Sequence, residues 1–193
     1  MIILASRSIR RSEILSSCKI KHKVIASNVH EDMTGRSPRM VSIKNARLKA
    51  MDVASRIKKG YIIGADTVVL LGKKIIGKPK DSLHAKKMLK NMSGKSIFVY
   101  TGLAIVDIKK KKMILGCEKS TVRVKKIKNK EFSKILKLLA PYDKAGGFSI
   151  EGVGSMIFDD IKGSYFNVLG LPMGLLKEMF EGLEVDLLKF IKK

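Results

Sequence analysis

The 193-residue chain has no tryptophan, two cysteines and four prolines, and aromatic residues make up only 6%. Cys18 and Cys117 stand far apart and no CxxC occurs, which excludes a disulfide framework and a thiolate metal site as organisers. Cysteine used this sparingly suits a reducing, cytoplasmic setting. No run of about 18 apolar residues exists, so no membrane-spanning helix is expected. The opening Met1–Arg11 segment is apolar only briefly and is interrupted at Arg7, so no signal peptide is expected either. His22, His30 and His84 lack metal-ligand spacing, and HExxH, GxxxxGK[ST] and GxSxG are all absent. That excludes a zinc hydrolase, a Walker-type nucleotide site and a serine hydrolase of the elbow type.

Negative charge is also scarce: 40 Lys and Arg stand against 17 Asp and Glu, for a net charge of +23. Of the cations 32 are Lys and 8 are Arg. Nucleic-acid readers use Arg forks interleaved with aromatics, so the Lys tracts, such as Lys109–Lys112, read as solvated surface with some general affinity for polyanions. Three of the 8 Arg, namely Arg7, Arg10 and Arg11, crowd into five residues, which is a sharper clue than total charge. Hydrophobic residues at 45% suffice for a folded core, and nothing in residues 1–193 marks a linker, so one domain is expected.

The patterning alternates strands and helices. Expected strands are Ile2–Ala5, Lys23–Ala26, Tyr61–Leu71, Ile75–Ile76, Ile97–Ile108, Met113–Lys126 and Ser155–Phe158. Expected helices are Ile9–Ser16, Arg39–Lys59 closed by Gly60, a helix capped by Asp81 and running to Met92, Glu131–Leu139, and one or two within Pro172–Lys193. The long hairpin about the Lys109–Lys112 turn, set among alternating elements, indicates an α/β fold with a mixed sheet.

Three groups could carry chemistry. Ser6-Arg7-Ser8-Ile9-Arg10-Arg11 joins a strand to a helix, where backbone N–H groups, hydroxyls and guanidinium forks suit phosphate oxygens. The plain alternative is that the serines cap the helix and the arginines face solvent. Asp66 interrupts the apolar strand Tyr61–Leu71; desolvating a carboxylate there demands a partner, so it binds a metal, acts as a base or serves as a structural acceptor. Glu31, Lys49, Lys78, Asp143, Lys144 and Glu151 are scattered, and each alone reads as solvated. The Gly-rich stretch from Ala145 to Gly154 permits close approach of a ligand to the backbone.

In order along the chain, Leu4-Ala5-Ser6-x-Ser8-x-Arg10-Arg11, Lys49-Ala50, Gly64-Ala65-Asp66-Thr67-Val68-Val69, Gly77-Lys78-Pro79-x-Asp81, Met88-Leu89-x-x-Met92-Ser93-Gly94-Lys95, Val99-Tyr100-Thr101-Gly102, Tyr142-Asp143-Lys144-Ala145-Gly146 and Asn167-Val168-x-Gly170-Leu171-Pro172 resemble the Maf family of nucleotide pyrophosphatases, the septum formation inhibitor-like proteins. The resemblance implies a two-lobed Maf/ITPase-like fold, an extended mixed sheet flanked by helices around a central cleft. It implies hydrolysis of nucleoside triphosphates between the α- and β-phosphates, dependence on Mg²⁺ or Mn²⁺, a nucleotide-pool cleaning role and frequent dimerisation. No membrane and no specific nucleic acid are implied as partners. Residue by residue, Asp66 matches the catalytic proton acceptor. Ser6, Ser8, Arg10 and Arg11 match the phosphate-contacting segment, Lys49 and Lys78 match lysines near the phosphates, and Glu31 joins Asp66 at the metal. Arg10, Thr67 and Glu151 fall where the family tunes base specificity.

Ile9 replaces the usual Pro before the arginine pair. Asp66-Thr67 resembles the dTTP/UTP branch, whereas Glu151 departs from that branch's Gln and looks like the 7-methyl-GTP branch; the longer match favours dTTP/UTP. A 7-methyl-GTP pyrophosphatase and, from another class, a basic nucleic-acid-binding module are the alternatives, together with a regulatory protein that binds nucleotide without turnover.

Overall fold

The computed structural model describes residues 1–35, 37–139 and 149–192. A seven-stranded mixed sheet runs β2-β1-β3-β5-β6-β7, with β4 on the edge of β3. Its strands are β1 Ile2–Ala5, β2 His22–Val24, β3 Tyr61–Leu71, β4 Lys74–Ile76, β5 Ser96–Asp107, β6 Lys112–Val124 and β7 Phe158–Lys162. The helices are α1 Ile9–Ser17, α2 Pro38–Ala54, α3 Ser82–Met92, α4 Phe132–Leu138, α5 Tyr165–Leu169 and α6 Met173–Glu181. β1 is parallel to both β2 and β3, and the remaining pairings are antiparallel.

The apolar sequence of β1 is buried along its whole length, as expected of a strand with helices on both faces. Side-chain alternation sends Ile2, Leu4, Ile63 and Leu103 to one face, against α1 and α6. Ile3, Ala5, Ile62 and Ala104 go to the other, against Ala46, Ala50 and Val53 of α2. The far half of the sheet has its own core, where Val69, Ile97, Val99 and Val122 meet α3 and α4. These cores make the two lobes, and β3 and β5 run through both.

Two glycines bring α2 unusually close. A Cβ on Gly64 would lie 2.1 Å from the carbonyl oxygen of Ala46, and one on Gly102 would lie 2.3 Å from the carbonyl carbon of Ser42. Gly102 is the cross-strand partner of Asp66, and Gly64 precedes Asp66 by two residues on the same face. The helix backbone therefore closes on the sheet around Asp66, and an alanine at either glycine would collide with backbone rather than with a yielding side chain.

Three expectations are corrected and one helix is added. The strand expected at Ser155–Phe158 is instead a 3-10 turn over Gly152–Met156, followed by β7. Val153 and Ile157 pack into the far core from that turn and Phe158 from the start of β7, while the strand carries exposed Asp159 and Asp160, because among the described residues β7 is an edge strand with one neighbour. The helix expected to reach Lys59 ends at Ala54. Residues 55–60 must turn so that Tyr61 N–H can donate to the Met1 carbonyl at 3.0 Å and start β3 beside β1. The second strand sits at 22–24 rather than 23–26. α5 was not anticipated; its five residues show no periodicity, and it is held by the Ser164 cap and by Gly170 in a left-handed conformation.

Candidate active site

Along one edge of β3, β1 covers Tyr61–Gly64 and β4 covers Val69–Leu71. Among the described residues, 65–68 have no strand beside them on that edge, and this gap between the lobes is where the candidate residues gather. Asp66, 4% exposed, points to the α2 side of the sheet. Its Oδ1 accepts from Lys49 Nζ at 2.7 Å and its Oδ2 from Asn45 Nδ2 at 3.0 Å. Lys49 also donates to Glu31 Oε1 at 2.7 Å and to the Ala65 carbonyl at 3.4 Å. All three ammonium protons thus have acceptors, and one cation joins two carboxylates. Burial pushes the Glu31 carboxyl up, but the Lys49 hydrogen bond and the charges of Lys49, Lys78 and Arg11 outweigh it and hold the group below its ordinary value. Lys78, exposed in the loop between β4 and α3, thus acts on Glu31 through its charge.

The opposite face of β3 carries a second cluster. Arg11 is buried and donates through Nε to the Gly170 carbonyl at 2.7 Å, through Nη1 to Ser6 Oγ at 3.2 Å and through Nη2 to Thr67 Oγ1 at 3.0 Å. Thr67 Oγ1 in turn lies 3.0 Å from Thr101 Oγ1, and Thr101 donates to the Asn167 carbonyl. Burial draws the Arg11 guanidinium below its ordinary value, against the opposing pull of Asp66 and Glu31. The plain alternative for the Ser6–Arg11 segment fails for Arg11, which does not face solvent. It fails also for Ser8, which occupies the N-cap of α1 without a side-chain cap bond. Ser6 Oγ instead accepts the Ser8 N–H at 3.1 Å.

Arg10 turns the other way. Its Nη1 donates to Ser149 Oγ at 3.0 Å and pairs with Glu151 Oε2 at 2.9 Å. Tyr165 OH donates to the other Glu151 oxygen at 3.4 Å. Glu151 and Tyr165 line an open groove of about 630 Å³, while a second groove of about 660 Å³ lies against α3 with Lys86, Lys87 and Lys90 on its wall. Neither contains Asp66; the α3 groove is basic and has Asp81 as its one carboxylate, whereas the buried carboxylate lies at the gap in β3.

The structure therefore brings Glu31, Lys49 and Asp66 into direct contact, ties Ser6, Arg11 and Thr67 together, and pairs Arg10 with Glu151. Asp143, Lys144 and the Tyr142–Gly146 motif lie outside the described residues. Asn45 was missed. Its signal was present: it lies four residues before Lys49, on a helix face whose other buried members include Val41, Ala46, Ala50 and Val53, so a polar group there required a partner. Among the described residues no three His, Cys, Asp or Glu side chains gather as a metal cage. The donor set still fits Mg²⁺ or Mn²⁺ in the mode that takes one or two carboxylates together with substrate phosphates, because Glu31 and Asp66 already converge on one cation, the Lys49 ammonium.

The fold is similar to the structure of the Staphylococcus aureus Ham1 protein, with a TM-score of 0.51, 15% identity, and coverage of 94% of this chain and 98% of that one. Among curated relatives, a dTTP/UTP pyrophosphatase of Thermoanaerobacter sp. (strain X514) is 41% identical over 93% of this chain and 95% of its own length. A dTTP/UTP pyrophosphatase of Dictyoglomus thermophilum is 36% identical over 97% and 98%, and one of Thermosipho africanus is 42% identical over 89% and 87%. Residues 1–183 match the family described as Maf-like protein, and the chain belongs to that Maf family.

Proposed function

We propose that the chain is a nucleoside triphosphate pyrophosphatase acting on dTTP and UTP. Water attacks the α-phosphorus, the α–β anhydride bond breaks, and a nucleoside monophosphate and pyrophosphate leave. The observation that carries this is the desolvated Asp66 carboxylate at the gap in β3, held by Lys49 and Asn45 and set beside Glu31. Asp66 orients the attacking water and takes its proton. Lys49, Lys78 and the Ser6–Arg11 segment offset charge on the pyrophosphate as it departs, the larger lever in phosphoryl chemistry. Cations alone would hold the ground state as firmly as the transition state and would not raise the rate; the placement of Asp66 is what discriminates. Glu31 and Asp66 would hold Mg²⁺ or Mn²⁺, which supplies positive charge to the phosphate oxygens when bound.

The relatives' printed activity supports the dTTP/UTP preference. Among the described residues no helix is long and apolar enough to cross a membrane. The test is pyrophosphate release from dTTP, UTP, 7-methyl-GTP and the common triphosphates, with Mg²⁺ and with Mn²⁺. Release from dTTP and UTP is expected; no release from any of them ends the proposal, and preference for 7-methyl-GTP overturns the specificity.

A further inference from the structure

Asn45 takes no part in the chemistry as written, yet it is among the most enclosed polar groups of the site, 1% exposed. It sits on α2 one turn before Lys49, on the helix face that closes over Gly64 and Gly102. Apart from Lys49, the other buried positions of α2 (Val41, Ser42, Ala46, Ala50 and Val53) are small or apolar, so packing alone does not call for a carboxamide, and burying one is costly unless its bonds are made. They are made: Nδ2 donates to Asp66 Oδ2 at 3.0 Å and to the Asp32 carbonyl at 3.1 Å, and Oδ1 accepts the Asp32 N–H at 2.9 Å.

Lys49 holds one oxygen of Asp66, and an ammonium contact on one oxygen leaves the carboxylate free to turn about its last torsion, which is soft in aspartate. A second donor on the other oxygen fixes the plane. The same side chain grips both backbone groups of Asp32, the residue that follows Glu31. One carboxamide thus sets both carboxylates relative to each other. Resting on the pyrophosphatase assignment of Asp66, we propose that Asn45 is a positioning residue that aims the Asp66 carboxylate at the attacking water and clamps the Glu31–Asp32 loop beside it.

The test uses the full chain with Asn45→Leu and Asn45→Asp, comparing kcat and KM for dTTP with backbone amide exchange at Asp32. Leucine keeps the volume and loses every bond. Aspartate keeps an acceptor for the Asp32 N–H, loses the donors to Asp66 and to the Asp32 carbonyl, and sets a second carboxylate against Asp66. A displaced reacting group costs about 10²-fold in turnover, so kcat is expected to fall by about that factor in both variants, with KM changed by less than about threefold. Exchange at Asp32 is expected to accelerate in the leucine variant and to stay near wild type in the aspartate variant. A folded leucine variant with wild-type kcat overturns the proposal, and so does a raised KM with kcat intact, which would mark a ligand contact. Should the leucine variant fail to fold, the aspartate variant decides by the same split. Should the unaltered chain release no pyrophosphate from any triphosphate, the enzymatic assignment fails separately, and wild-type Asp32 exchange in the leucine variant would still refute the clamp.

Discussion

Two ion pairs flank the gap in β3, and they differ sharply in burial. Lys49 and Asp66 are 9% and 6% exposed in their side chains, whereas Arg10 and Glu151 are 25% and 43% exposed. The first pair sits under α2 with every ammonium proton used and both carboxylate oxygens held. The second lies at the rim of an open groove. Removing one partner from a buried pair strands the other charge, whereas an exposed pair contributes little and exchanges readily with water or ligand. On the proposed function the interior pair would serve the chemical step and the rim pair the choice of base, because only the latter can be reopened cheaply.

The contrast can be broken at its strong end first. Asp66→Asn keeps one acceptor, for Lys49, turns an NH2 group towards the Asn45 amide and removes the proton acceptor. Pyrophosphate release from dTTP should fall by about 10³-fold, with circular dichroism unchanged; near-normal turnover would remove Asp66 from the catalytic role. Lys49→Met leaves the carboxylates of Asp66 and Glu31 facing each other with no cation between them. Urea unfolding at pH 7 should show a loss of about 3 kcal/mol, and a loss below about 1 kcal/mol would mean that Lys49 is not structurally committed.

At the rim, Glu151→Gln should change stability by no more than about 1 kcal/mol. The kcat/KM ratio of dTTP to 7-methyl-GTP should rise a few-fold by about 1 kcal/mol of differential binding. An unchanged ratio would take Glu151 out of base selection. The smallest effect concerns Asp52, which accepts from the Asn28 N–H and pairs with Arg56. The Asn28 bond, opposed by slight burial and aided by Arg56, holds its carboxyl below the ordinary 3.8. A depressed folded value means that the contribution is complete above the unfolded value and disappears as pH falls through the folded one. The Tm difference between the wild type and Asp52→Asn should therefore shrink as pH falls from 5 towards 3, and a constant difference would show that the pair carries no linkage.

Much of this was legible along the chain because it depends on near neighbours. The eleven residues of β3 form one strand with Asp66 inside it; Asp81 caps α3 by accepting the His84 N–H at 2.7 Å; the β5–β6 hairpin follows from two apolar runs about a lysine turn. Edge and terminus effects were not legible. β7 slid past the expected Ser155–Phe158 because an edge strand tolerates aspartates that a periodicity argument rejects, and α2 stopped short of Gly60 because the start of β3 was fixed by β1.

The sequence by itself determined that a carboxylate must lie within a buried strand, that arginines crowd a strand-to-helix turn, and that the motifs fall in Maf order, since spacing and residue chemistry are local properties. Only the tertiary structure decided that adjacent Arg10 and Arg11 part company, one to the rim and one into the interior. It alone decided that Lys49 bridges Glu31 to Asp66 and that Asn45 holds the other oxygen. Those outcomes depend on which helix backbone can approach which strand, and here two glycines without side chains let α2 descend onto the sheet where Asp66 stands.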